Sequence, residues 1–183
     1  MKIYEILKQE IMEDNQRYFD ESDDGYNYWE NHIKHVVNES VELAKKYDAD
    51  VEIVKISALL HDVAQIKKFG PKEGHNVRGA EIAEKMLQKL NYPQEKIDKV
   101  KGCILHHSKS KYAENLEELC VADADVLAHF KGADLIFRTL QERGADLNQT
   151  KKWFEKDFND LSEKTREWFR PKFDELMKRL FSV

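Results

Sequence analysis

Glycine and proline are scarce in this chain, seven and three in 183 residues. Their scarcity removes the turn residues that a many-stranded β protein needs, and long stretches instead repeat apolar residues at three- and four-residue spacing, so the expected class is all-α. Cysteine is scarce too: Cys103 and Cys120 form neither a CxxC pair nor a disulfide framework. They read as small buried hydrophobes, which fits a reducing compartment. No run approaches the roughly 18 apolar residues of a membrane span, and the opening MKIYEILKQEIMEDNQ is a charged amphipathic helix without a signal-peptide core. The expected location is therefore cytoplasmic, away from membranes. Basic excess is also missing: the net charge is -5. That argues against binding duplex nucleic acid, whose affinity rests on neutralising phosphates with Lys and Arg. A small anionic substrate needs only a local basic patch and stays open.

Hydrophobic residues at 41% beside 36% charged residues can build a real core. No repeat, low-complexity segment or long linker divides the chain, so residues 1–183 are expected to form one domain. Helices are expected over about 2–20, 29–46, 51–68, 75–90, 93–108 and 116–130, followed by two or three amphipathic helices. ESDDGYNY reads as a polar turn whose acidic residues could cap the second helix. FGPKEG reads as a loop. In the tail, Trp153, Phe154, Phe158, Trp168, Phe169 and Phe173 alternate with charges at helical spacing, as residues that pack on the core or on a homodimer partner.

The chemistry is concentrated in SALLHDVAQIKK, residues 57–68, where His61 and Asp62 interrupt an apolar run. An unpaired ionised carboxylate inside a core costs several kcal/mol, comparable with a protein's margin of stability. Asp62 must therefore be paired, protonated or bound to a metal. Periodicity sorts the other histidines. His32 borders the apolar arc of its helix while His35 lies further out, and His107 falls in an apolar stripe while His106 points away. His75 sits at the start of its helix on the apolar side. His32, His61, His75 and His107 thus aim inward from separate helices, and with Asp62 they form a donor set suited to zinc, manganese, iron or cobalt. CVADADVLAHF adds Asp123 and Asp125, which point in nearly opposite directions. Periodicity favours Asp123 as the inward one, although apolar residues surround this helix on most sides.

The order His32 in NHIKHV, His61 and Asp62 in ALLHDVA, then HH and ADVL resembles the HD superfamily of metal-dependent phosphohydrolases over roughly residues 29–130. The resemblance implies a helical HD-domain bundle, with residues 131–183 as additional C-terminal helices. It also implies a divalent ion (manganese, iron, cobalt, nickel or zinc, with magnesium open) held by His32, His61, Asp62 and Asp125. Asp125 here takes the place that periodicity gives to Asp123. Such an ion activates water to attack a phosphate ester or anhydride of a small molecule such as a nucleotide. Asp62, His75 and His107 are the expected catalytic groups; the two histidines either hold a second ion or contact the phosphate and protonate the leaving group. Lys67, Lys68, Arg78, Lys109 and Lys111 flank the site in sequence and are candidates for substrate phosphate. The Gly-Tyr-Pro motif of cyclic-dinucleotide members is missing after the double histidine, as is the acidic pair that follows HD in alarmone hydrolases. Di-iron oxygenases of the same superfamily, or a sensor that has kept ligands without turnover, are the alternative readings.

Overall fold

The computed structural model describes residues 2–20 and 27–181. Its helices are α1 (Lys2–Asp20), α2 (Lys34–Tyr47), α3 (Val51–Leu60), α4 (Val63–Ile66), α5 (His75–Lys89), α6 (Gln94–His106), α7 (Leu116–Lys131), α8 (Ala133–Glu142), α9 (Leu147–Asp160) and α10 (Glu163–Phe181). A π-helical turn, Trp29–Ile33, leads into α2, and a short 3-10 turn, Ser110–Tyr112, precedes α7. Among the described residues there is no strand, as the all-α reading expects. Residues 21–26 of the expected polar turn lie outside the described residues.

α3 decides the arrangement. Ile53, Val54, Ile56, Ala58, Leu59 and Leu60 are all buried, so the helix is apolar all round and has to be enclosed. It is packed by α1, α2, α6 and α7, while α2 also lies along α7 and α5 along α6. α7 is nearly as enclosed, with Cys120, Val121, Ala122, Ala124, Val126, Leu127 and Ala128 buried.

Local chemistry fixes the ends. Asp50 caps α3 by accepting from the backbone N–H groups of Glu52 (2.9 Å) and Ile53 (3.2 Å). Asn115 caps α7 through the Glu118 N–H, and Asp146 forms a capping box with Gln149 at α9. Asp48 closes α2 in the left-handed region at φ 60°. The start of α2 is braced from α1: buried Asn15 accepts from the Trp29 N–H at 2.9 Å and donates to Asn27 at 3.1 Å.

The expected continuous helix over 51–68 is broken. α3 stops at Leu60, and Asp62 adopts φ -106° and ψ 21° before α4 starts, its carbonyl accepting from the N–H groups of Gln65 and Ile66. Apolar periodicity continues through the bend, because both short helices are buried, so the pattern of residue types does not report it.

The tail aromatics pack within the chain. Phe154, Phe158, Phe169 and Phe173 are buried, with Phe130 of α7 centred 5.3 Å from Phe169 and 5.6 Å from Phe173. Phe158 stacks on Phe173 at 4.1 Å. A buried carboxylate helps tie these helices to the bundle: Asp123 accepts from the Ser110 and Ser162 hydroxyls, from the Ser162 N–H (2.8 Å) and from the Thr165 hydroxyl (2.6 Å).

Candidate metal centre

The bend at Asp62 creates the site. On a continuous helix adjacent side chains diverge by about 100°; here the bend brings them round to one side, with His61 Nε2 3.5 Å from Asp62 Oδ2. The π-helical turn plays the same part for His32, which it carries inward beside them, as such turns often do at functional sites. His32 Nε2 lies 3.2 Å from His61 Nε2 and 3.1 Å from Asp125 Oδ1. From the other side, His75 at the start of α5 and His107 at the end of α6 bring their Nε2 atoms to 3.0 Å.

Asp62 stands between the two histidine pairs. Its Oδ2 faces His61 (3.5 Å) and His32 (3.7 Å), while its Oδ1 faces His75 (3.2 Å) and His107 (3.8 Å). Tyr28 Oη donates to Oδ2 at 3.2 Å and Gln65 Nε2 to Oδ1 at 2.7 Å. α5 runs close to the bend at Gly79, where a Cβ would sit 3.4 Å from the His61 carbonyl oxygen, in van der Waals contact.

Ring orientation identifies what the cluster is built to hold. His61 Nδ1 lies 2.7 Å from the Ala58 carbonyl, His75 Nδ1 2.9 Å from that of Lys72 and His107 Nδ1 2.6 Å from that of Ile104. A carbonyl has no proton to give, so each Nδ1 donates, and each neutral ring presents its Nε2 lone pair to the cluster. In the His75–His107 pair two lone pairs then face one another at 3.0 Å, and the His61 lone pair faces His32 Nε2 at 3.2 Å. Only a proton or a cation between them relieves that arrangement, and fixing one ring nitrogen through an outer hydrogen bond is how proteins aim a metal-ligating histidine. The residues fit a divalent ion bound by nitrogen and carboxylate oxygen.

The charges agree. Burial alone would favour a neutral His61, but the Asp62 carboxylate and the bond to Asp125 outweigh it and hold the pKa up at about 9. Burial likewise opposes ionisation of Asp62, yet the neighbouring His61 charge and the His75 bond keep it well below the usual carboxylate range. Asp125 is held low in the same way by the bonds to His32 and His61. His75 is raised by its bond to Asp62, whereas His107 is lowered, chiefly by burial.

The site subset of the fold is recognisable by sequence as well as by geometry. The HD domain matches residues 29–129. The chain belongs to the HD domain family. Three solved structures share the fold of this HD-domain chain at TM-scores of 0.58, 0.66 and 0.62: a predicted HD superfamily hydrolase from an uncultured Thermotogales bacterium, an HD-superfamily hydrolase from Bacillus thuringiensis, and Bacillus subtilis YpgQ in complex with ADP. Their identities are 22%, 17% and 19%, and the alignments cover 91%, 98% and 98% of this chain and 91%, 97% and 98% of theirs. No curated protein matches it.

The HD-domain fold brings His32, His61, Asp62, His75, His107 and Asp125 together, and it separates the two aspartates of α7. Asp125 faces the histidines, whereas Asp123, which the periodicity favours, faces Ser110, Ser162 and Thr165. Burial on nearly every side of α7 leaves no apolar stripe to discriminate them. Of the flanking cations, Lys67 is paired with Glu10 (2.9 Å) and Asp14 of α1. Arg78 clamps the loop before α5, donating to the carbonyls of Phe69 (2.8 Å), Glu73 (2.9 Å) and Pro71. Lys68 occupies the turn after α4 at φ 50°. Lys109 and Lys111 flank Ser110 in a cleft of about 320 Å³ shared with Ser162 and Arg166. Three residues at the site escape a reading by histidine periodicity: Tyr28, Gln65 and His129. Two of them carry a spacing signal, since Gln65 follows Asp62 by three and His129 follows Asp125 by four, a helical turn in each case.

Proposed function

We propose that this HD-domain chain is a metal-dependent hydrolase that cleaves a phosphate ester or anhydride in a small molecule, with a nucleotide as the favoured substrate class. The observation that carries the reading is Asp62, whose two oxygens are divided between the His32–His61 and His75–His107 pairs. A carboxylate shared in this way would let these residues hold two neighbouring ions. Bound metal would supply a water of pKa near neutrality and offset charge on a phosphoryl oxygen.

The chain's own residues supply the rest. His32, His61 and Asp125 would hold an ion on one side and His75 and His107 on the other, with three of the rings fixed by main-chain carbonyls. Tyr28 and Gln65 occupy the outward lone pairs of Asp62 and so hold its plane between the two sides. His107, its pKa lowered by burial, keeps its Nε2 lone pair free for coordination at neutral pH. The fold shared with hydrolases of this superfamily supports the reaction class, and the ADP held by the Bacillus subtilis protein supports the nucleotide.

Phosphate release from a panel of nucleotides, with manganese, cobalt, nickel, magnesium or zinc, tests the proposal. Activity that disappears in Asp62→Ala is expected; activity that survives the substitution would overturn it. The two-sided cluster also suits a di-iron oxygenase, and oxygen-dependent absorbance of the iron-loaded protein, without phosphate release, would select that reading instead.

A further inference from the structure

His129 completes a third grouping of ligand-type atoms that overlaps the first. It sits one helical turn beyond Asp125 on α7, and one ligand atom each of His32, Asp125 and His129 lie within 4.8 Å of one another. These three residues form a group that can hold a metal ion. The ring lies nearly parallel to that of His32, 22° between planes with centroids 5.6 Å apart, which places both imidazoles side by side.

What aims this ring comes from outside the matched HD segment. His129 Nδ1 is 2.6 Å from Oδ2 of Asp157 on α9, and Trp153 on the preceding turn of α9 packs against the ring with centroids 5.6 Å apart. Asp157 is itself buried, at 8% exposure. With Nδ1 engaged by a carboxylate, Nε2 is the free nitrogen, in the carboxylate–histidine arrangement that orients and strengthens a metal ligand. The main-chain carbonyls that anchor His61, His75 and His107 have their counterpart here in a side chain of the C-terminal helices.

We infer that His129, oriented by Asp157, is a further ligand of the ion held at His32 and Asp125, which makes α9 part of the metal centre. The inference rests on the metal-centre reading above and adds to it a coupling between ion binding and the C-terminal helices. Ion binding pulls on His129, His129 on Asp157, and so the order of α9 depends on the ion.

Chelator-stripped full-length protein titrated with cobalt tests this, read by calorimetry, by the visible cobalt absorption and by hydrogen exchange in α9. His129→Gln is expected to weaken binding of one cobalt ion at least tenfold and to change its absorption. Asp157→Asn, which keeps the ring but loses the carboxylate, is expected to weaken it by about tenfold, the usual range for an outer partner being 10- to 100-fold. Cobalt should slow exchange in α9 in wild type but not in His129→Gln. Affinity and spectrum unchanged in His129→Gln, with cobalt binding still abolished in His61→Ala, would overturn the inference and leave the metal centre standing. A wild-type protein that binds no cobalt would overturn both. Should His129→Gln fail to fold, unchanged affinity and unchanged α9 exchange in Asp157→Asn would overturn the inference alone.

Discussion

Asp123 and Asp125 stand two residues apart on α7 and should fail in opposite ways when truncated. In Asp123→Ala the buried carboxylate disappears from four donors. Ser110 keeps the Asp160 carbonyl at 3.0 Å and Thr165 keeps Tyr47 at 2.8 Å, so two hydroxyls are partly rescued. The Ser162 N–H cannot turn, and the Ser162 hydroxyl, which keeps accepting from the Thr165 N–H at 3.3 Å, loses its own acceptor. A hydrogen bond to a charged acceptor contributes about 1.5–3 kcal/mol. A loss of about 3 kcal/mol follows, large beside the roughly 5–15 kcal/mol of a whole domain. For a chain of this size that corresponds to a fall in Tm of roughly 6–12 °C. In Asp125→Ala the carboxyl site is 17% exposed and open to replacement by water, and Asp62 remains 3.5 Å from His61, so the chelator-treated protein should lose less than half as much, about 1 kcal/mol. Ions separate the two variants. At an ion concentration of about 100 Kd the wild type gains about 2.7 kcal/mol, most of which Asp125→Ala should forfeit and Asp123→Ala retain. Thermal and urea melts of all three proteins, with chelator and with excess manganese, measure this directly. The reasoning is refuted if Asp123→Ala melts like wild type yet no longer responds to manganese.

Metal affinity should rise with pH. His61 has a pKa raised to about 9 without an ion, and its Nε2 proton occupies the position of the bond to metal, so below that pH each ion bound must displace it. Apparent affinity is expected to increase by up to about tenfold per unit between pH 6 and 8, and a flat profile by calorimetry would contradict the assignment. The chelated protein shows the other side of the linkage. A raised histidine pKa stabilises the fold fully below the unfolded value of about 6.5, and that contribution is lost as pH rises through about 9, in urea midpoints measured across the range. Gly102→Ala offers a test of sign. Alanine normally stabilises a helix interior by about 1 kcal/mol over glycine. Here the added Cβ would meet Glu118 Oε1 at 2.8 Å, and that buried carboxylate is held by the Glu114 N–H (2.8 Å), Asn115 (2.9 Å) and His106 (2.7 Å). A net destabilisation of about 1–2 kcal/mol is expected, and a higher urea midpoint for the variant would refute it.

The helix boundaries were legible wherever capping chemistry or glycine and proline marked them. α5 and α7 begin at the expected residues, and Pro93 immediately precedes α6. The inward set His32, His61, His75 and His107 was legible because each lies beside an apolar stripe. The bend at Asp62 was not, since periodicity records which faces are apolar and is silent on a dihedral change between two buried segments. The choice between Asp123 and Asp125 defeated periodicity for a related reason: a helix enclosed on nearly all sides has no preferred apolar face, and the ADVL pattern pointed to the residue that now faces the histidines. His129 shared a helical turn with Asp125, but its significance depends on Asp157, 28 residues later, and no local pattern carries that pairing.

The imidazoles of His61, His75 and His107 are steered by carbonyls of the main chain three residues before them, and that steering asks nothing of the side chains nearby. Any substitution that preserves the local backbone preserves the aim of the ring. The surrounding core is therefore free to drift, and a chain can share as little as 17% identity with a protein of the same fold without the ring orientation itself being at stake. His129 lives under a different regime: its direction is carried by Asp157, so a single change on α9 redirects it. The metal centre thus joins three histidines whose pose is inherited with the backbone to one whose pose can be altered in a single mutational step.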